Sequence, residues 1–246
     1  MSDPPKQRLA KVLFPALADD GSQALREQVA REVPAVLASN GLRLLIHHEL
    51  APNAAGVGFA TTTLMAAELG DGAHRLYSDG LQYPGAALVR QLIECGYLLA
   101  LMSENRDEAA KWMRSSHDDI VRQFMPRHIR KRAVRNFRST EYENHCDHGG
   151  HPNPAGRMLL TPSTGLDRLS SRVRWLDLAQ HLSDVWECFV AALPLYDPRT
   201  EHGDALYAPS RSPDDGERIR ALLAEWREAD HAALTASVPE METQLA

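Results

Sequence analysis

The chain has 246 residues, a formal net charge of -6, 43% hydrophobic and 24% charged residues. These proportions suit a globular protein with a sizeable core and exclude disorder as its main state. The charge excludes a surface dominated by positive potential, but leaves room for a local basic patch.

Helical periodicity recurs along the chain, while strand alternation and Val/Ile/Thr-rich runs are scarce. The first helices are expected over residues 7–17 and 22–37, with Asn40-Gly41 breaking the chain after them. A stretch from about Asn53 to Leu69, rich in Ala, Gly and Thr, predicts a helix that a neighbour can approach closely. Pro84-Gly85 opens the most apolar helix, Ala86 to Met102, which Ser103 and Asn105 close. Glu108 to Ser115 begins another helix, and Ser116 reads as the N-cap of a short one carrying Asp118 and Asp119 in its first turn.

The segment His145 to Gly165 interrupts this pattern with Gly149, Gly150, Pro152, Pro154, Gly156, Pro162 and Gly165, and is read as a structured loop. A long helix follows, Leu166 to Leu193, with Leu166, Leu169, Val173, Leu176, Leu182, Trp186, Phe189 and Leu193 near one face and Pro194 ending it. Asp197 to Arg211 is polar and expected to be exposed. Ser212-Pro213-Asp214-Asp215 then starts a last helix with Ile219, Leu222, Leu223 and Trp226 as its apolar stripe. The expected fold is all-α: a helical bundle with a turn-rich loop before the long penultimate helix, and Ala86–Met102 at its centre. Residues 1–196 form the bundle domain in this reading, and residues 197–246 add a loop and a helix packed on it.

The three cysteines, Cys95, Cys146 and Cys188, are odd in number and far apart, so they make no disulfide framework and point to a reducing compartment. No signal-peptide-like apolar run follows the first residues. The longest apolar stretch, Leu88 to Met102, contains Arg90 and Glu94 and is too short to span a bilayer. A cytoplasmic protein without a membrane partner is expected.

Three features carry candidate chemistry. Arg90 and Glu94 share one face of the most apolar helix, where burying charge requires partners. They are either a structural ion pair or part of a site. The segment Glu141 to Pro152 gathers Tyr142, His145, Cys146, His148 and His151, and histidine suits proton transfer near neutral pH. His145, His148 and His151 are spaced by threes, so a metal site, completed by Cys146 or Glu94, is the rival reading. Third, Val121 to Thr140 holds Arg122, Arg127, Arg130, Lys131, Arg132, Arg135 and Arg138 and no acid. Clustered Arg matches phosphate in charge and in bidentate geometry, although a solvated helix face is the commoner use of such a run. The sequence has no dinucleotide fingerprint, phosphate-cradling loop, nucleophile elbow or HExxH.

Arg90-x3-Glu94 on an apolar helix, followed by Tyr142 and by His151-Pro152 on a turn, resembles bacterial helical proteins related to the HEPN-like superfamily, over residues 85–156. Cys146 stands roughly where that pattern has a small hydroxyl residue. Arg138-x6-His145 and Arg122-x5-His128 fit the HEPN ribonuclease motif only formally, since Arg and His are abundant here. The resemblance implies a helical bundle, often a homodimer, acting on RNA in toxin or antiviral-defence systems. It implies a site of Arg90, Glu94, Tyr142, His145 and His151, working as an endoribonuclease without metal or other cofactor. The expected partner is RNA or another polyanion, bound by the basic run. A non-catalytic regulatory or nucleic-acid-binding protein is the alternative, and a metal-dependent enzyme using the histidine segment is the third.

Overall fold

The computed structural model describes residues 15–50, 53–132, 146, 156–160, 167–196 and 214–236, and among them there is no strand. The helices are α1 (Pro15–Ala18), α2 (Asp20–Leu50), α3 (Ala54–Ser78), α4 (Gln82–Glu104), α5 (Arg106–Arg114) and α6 (His117–Asp119). A π-helical turn, Ile120–Phe124, leads into α7 (Pro126–Arg132), and α8 (Arg157–Leu160), α9 (Asp167–Tyr196) and α10 (Asp214–Ala236) complete the set. The fold is an all-α helical bundle, as the periodicity predicts.

Local chemistry sets many of the boundaries. Asn53 caps α3, its Oδ1 accepting from the amides of Ala55 and Gly56 at 3.1 and 3.2 Å. Asn105 ends α4 and caps α5 by accepting from the Asp107 amide. Ser116 and Asp119 form a full capping box at α6, the start expected from sequence. Pro84 falls inside the first turn of α4, where its missing N–H removes no helical hydrogen bond, so the helix begins at Gln82 rather than Ala86. Residue 214 opens α10 immediately after Ser212-Pro213.

The expected break at Asn40-Gly41 does not occur. α2 runs as one helix of 31 residues through Pro34, Asn40 and Gly41. Helical Gly costs about 1 kcal/mol relative to Ala, but here packing outweighs it. A Cβ on Gly41 would stand 2.9 Å from Leu64 Cγ, so only Gly admits α3 this closely. Gly70 plays the same part for Pro34 and Leu182. Asn40 stays inside the helix by donating Nδ2–H to the Val36 carbonyl at 2.9 Å.

Four long helices make the core: α2 packs on α3, α3 on α4, α4 on α9, and α9 on α2. Short turns make α2, α3 and α4 successively antiparallel. Gly41 meets Leu64 and Gly56 meets His48 between α2 and α3, and Gly85 meets Tyr77 and Gly72 meets Leu88 between α3 and α4. α9 breaks the alternation and runs parallel to α2 and α4. Arg172 near its start bonds Leu17 and Asp20, while its last residue, Tyr196, accepts from His48 through its carbonyl and donates from its hydroxyl to the Met102 carbonyl at 3.0 Å. The chain from α5 to α8 is therefore the return connection that carries α4's end back to α9's start. α10 lies antiparallel on α2, tied by Arg26–Asp230 and Glu32–Arg218.

Two expectations about long helices change. α9 reaches Tyr196 with Pro194 in its last turn, and its buried face includes Trp175, Leu178, Ala179 and Val185 rather than Val173, which is exposed. Three neighbours cover α9, so its apolar face is wider than a single stripe. α4 is 23 residues long, and by length and composition it could cross a membrane, contrary to the shorter helix expected. Two-thirds of its most apolar window (67%) is buried inside the bundle, which accounts for that composition as core packing.

Candidate functional site

Arg90 and Glu94 stand one turn apart on α4, with Arg90 Nη1 donating to Glu94 Oε1 at 2.8 Å. Their side chains are 20% and 32% exposed, so the pair is mostly buried, as its apolar neighbours imply, and partly open to solvent. Helix geometry gives the reason. On α4, Gly96 abuts Val185 of α9 and Leu88 reaches Gly72 of α3, so these residues form the seam. At about 100° per residue, Arg90 and Glu94 fall on the opposite flank, away from α3.

The same flank carries polar residues of α9 that the sequence reading passed over. Leu182 of α9 points to Gly70 of α3. Arg174, Asp177, His181 and Asp184, spaced by three and four, turn to the other side of the α4–α9 seam. Because the two helices are parallel, this is the side on which Arg90 and Glu94 lie. His181 is 5% exposed, with Nε2 3.5 Å from Asp177 Oδ1 and Nδ1 3.8 Å from Asp184 Oδ2. Tyr77 lies across α4 where Gly85 has no side chain, and its hydroxyl is within electrostatic reach of Asp177 and Arg174. Burial and the Asp177 carboxylate hold that phenol far above its ordinary range. Sequence does contain the signal, Asp177-x3-His181-x2-Asp184 on an otherwise apolar helix. Its direction depends on α3, which no local pattern specifies.

Tyr142, His145 and His151, and with them His148, Arg135 and Arg138, lie outside the described residues, as does most of the expected loop. Cys146 is half-buried. Gly156 is buried just before α8, which packs on α4. Cys95 and Cys188 are buried on α4 and α9, and burial pushes the Cys95 thiol up to about 12. No group of three or more His, Cys, Asp or Glu side chains among the described residues is arranged to hold a metal ion.

The basic run divides into committed and open cations. Arg132 pairs with Glu108, donates to the Gln123 carbonyl at 3.2 Å and lies over the Phe124 ring with its guanidinium carbon 5.7 Å from the centroid. It fastens α7 to α5 and to the π-helical turn. Arg122 bonds back to the Asp118 carbonyl at 3.1 Å and stands 3.9 Å from Asp119. Arg130 is half-buried. Arg127 and Lys131 are exposed on α7 and form no ion pair among the described residues, Arg127 donating Nε–H to His128 Nε2 at 3.1 Å. Comparison of the chain with family models, with curated proteins and with solved structures finds no match.

Proposed function

We propose that the protein binds RNA, or a polyanion with the same phosphate chemistry, through the outer face of the π-helical turn and α7. The observation that carries this reading is the pair of exposed cations, Arg127 and Lys131, one turn apart on α7, with Arg122 exposed on the preceding π-helical turn. Phosphate backbones are recognised by exposed Lys and Arg in this way, and counterion release supplies the affinity. The chain as a whole is acidic, so exposed cations without a paired acid among the described residues are where a polyanion finds local attraction.

On the HEPN-like reading, the same surface feeds a cleavage site of Arg90, Glu94, Tyr142, His145 and His151. One histidine would accept the 2′-hydroxyl proton, the 2′-oxygen would attack phosphorus and the 5′-oxygen would leave, with an Arg stabilising the charge on the phosphate. The Arg90–Glu94 bond at 2.8 Å favours a second reading, binding without cleavage, because the two charges satisfy each other as a structural pair would.

The test is RNA binding at a series of salt concentrations, followed by a cleavage assay in EDTA on the same preparation. Binding that weakens steeply with salt supports the proposal, and undetectable binding at low salt ends it. Cleavage in EDTA selects the ribonuclease, and binding without cleavage selects the binding protein. Cleavage only with added divalent metal would return the histidine segment to the metal reading.

A further inference from the structure

A cleft of ≈ 540 Å³ opens between the starts of α2 and α9, walled by Asp20, Gln23 and Glu27 on one side and Ser171, Arg172 and Trp175 on the other. That volume falls within the range of small-molecule sites. Asp20, Gln23 and Glu27 are three or four residues apart, so they share one face of α2. Trp175 is buried behind the opening, edge-on to His74 at 5.5 Å and to Tyr77 at 5.9 Å, and provides an apolar wall.

The hydrogen-bonding groups around this cleft are unbalanced. Arg172 is 7% exposed, and both of its terminal nitrogens are bonded, one to the Leu17 carbonyl at 2.9 Å and the other to Asp20. Gln23 is 9% exposed and spends an amide N–H on Glu27 Oε1 at 2.7 Å, while its own Oε1 is buried with no hydrogen-bond partner. A buried acceptor left unmatched costs about 1–3 kcal/mol, so it marks a place where a donor is missing. Glu27 is exposed at the rim and adds negative charge on the same side. The cleft thus presents the Glu27 carboxylate and the Ser171 hydroxyl, backed by the buried, unmatched amide oxygen of its lining residue Gln23, with its cation already paired.

We propose that this cleft binds an alkyl ammonium group, held by the Glu27 carboxylate and Gln23 Oε1, with its carbon chain against Trp175. An ammonium has three N–H donors and no acceptor, which suits the two α2 acceptors together with the Ser171 hydroxyl of α9, whereas a planar guanidinium favours a bidentate carboxylate alone. A bare metal ion fits poorly, because no group of three His, Cys, Asp or Glu side chains among the described residues is arranged to hold one. The ammonium belongs either to a free diamine or to a lysine side chain of a peptide. This proposal does not depend on RNA binding, which uses α7.

The experiment is calorimetric titration of the full chain with 1,4-diaminobutane, with an acetylated Gly-Lys-Gly amide, with neutral 1,4-butanediol and with magnesium chloride. One or both ammonium probes should bind, and which of them binds tells the free amine from the peptide source. E27Q, at an exposed position, should keep the fold by circular dichroism and weaken binding roughly tenfold or more, the usual worth of a charge-assisted hydrogen bond. Q23L should weaken it as well and tests the buried acceptor separately. The proposal is overturned if neither ammonium probe binds, if the diol or magnesium binds as well as they do, or if E27Q binds like the wild type.

Discussion

At Gly56 the missing side chain makes room for the His48 ring, whose Nε2 lies 2.9 Å from the Tyr196 carbonyl. One residue therefore joins the last turn of α2, the first turn of α3 and the end of α9. Gly56→Ala should push the ring off this carbonyl and lower stability by about 2–3 kcal/mol, from overpacking plus the loss of a buried hydrogen bond. Urea denaturation measures it, and a change under about 0.5 kcal/mol, the scale of a surface substitution, would contradict the packing. His74 gives a pH dependence at the same scale. Burial is the main cause that holds its pKa below 6.5, and Arg31 and Arg75 act in the same sense against Asp71 and Glu27. The unfolded chain then takes up a proton near the ordinary histidine value while the folded chain does not. His74's contribution to stability is full above that value and declines as pH falls through about 6.5 toward the lower folded pKa. Subtracting the urea-midpoint curve of His74→Gln from that of the wild type between pH 5 and 8 should expose this decline, and a flat difference would mean that burial of the ring is not felt.

Among the elements, the π-helical turn and α7 separate two uses of arginine. Arg132 is bound to Glu108, the Gln123 carbonyl and the Phe124 ring, whereas Arg127 and Lys131 face solvent. A sequence reading treats Arg130 and Arg132 as binding residues like the rest, and the structure gives Arg132 the role of fastening α7. R127E with K131E should leave the melting temperature nearly unchanged, weaken RNA binding and reduce the salt slope by roughly one for each phosphate no longer neutralised. R132E should instead lower the melting temperature, since it sets two carboxylates against each other at Glu108. Equal loss of RNA affinity in both variants, with equal stability, would remove the distinction.

Over the whole molecule, α10 closes the bundle through a buried charge. The Arg26 side chain has no exposure and bonds Asp230 Oδ1 at 2.6 Å, and Trp226 donates to the other carboxylate oxygen at 2.9 Å. Breaking a buried pair from one side leaves an uncompensated charge, so Asp230→Ala should cost about 3 kcal/mol or more. Glu187→Ala, which removes the half-exposed partner of Arg227, should cost less than about 1 kcal/mol. Guanidinium denaturation of both variants tests the contrast, and similar losses would show that α10 is not held by its buried end. α9 has a matching role on the other side. Being parallel to α2 and α4, it requires the long return through α5 to α8, and that return is where the sequence places both the basic run and the histidine segment.

Helical class, the cap at Ser116, the starts of α3 and α10 and the apolar character of α4 were legible in the sequence, because each depends on hydrogen bonds or periodicity within a few turns. The paired charges Arg90–Glu94 were legible for the same reason, being one turn apart. Continuity of α2 through Asn40-Gly41, the width of α9's buried face and the partial exposure of Arg90 and Glu94 were decided by tertiary structure. So were the burial of His181 between Asp177 and Asp184 and the separation of Arg132 from Arg127 and Lys131. In every case the deciding term is a neighbour distant in sequence: Leu64 against Gly41, α3 on one side of the α4–α9 seam, Glu108 reaching Arg132. A local pattern fixes which residues share a helical face, but the burial and pairing of that face depend on which helix packs against it, and that is a property of the assembled bundle.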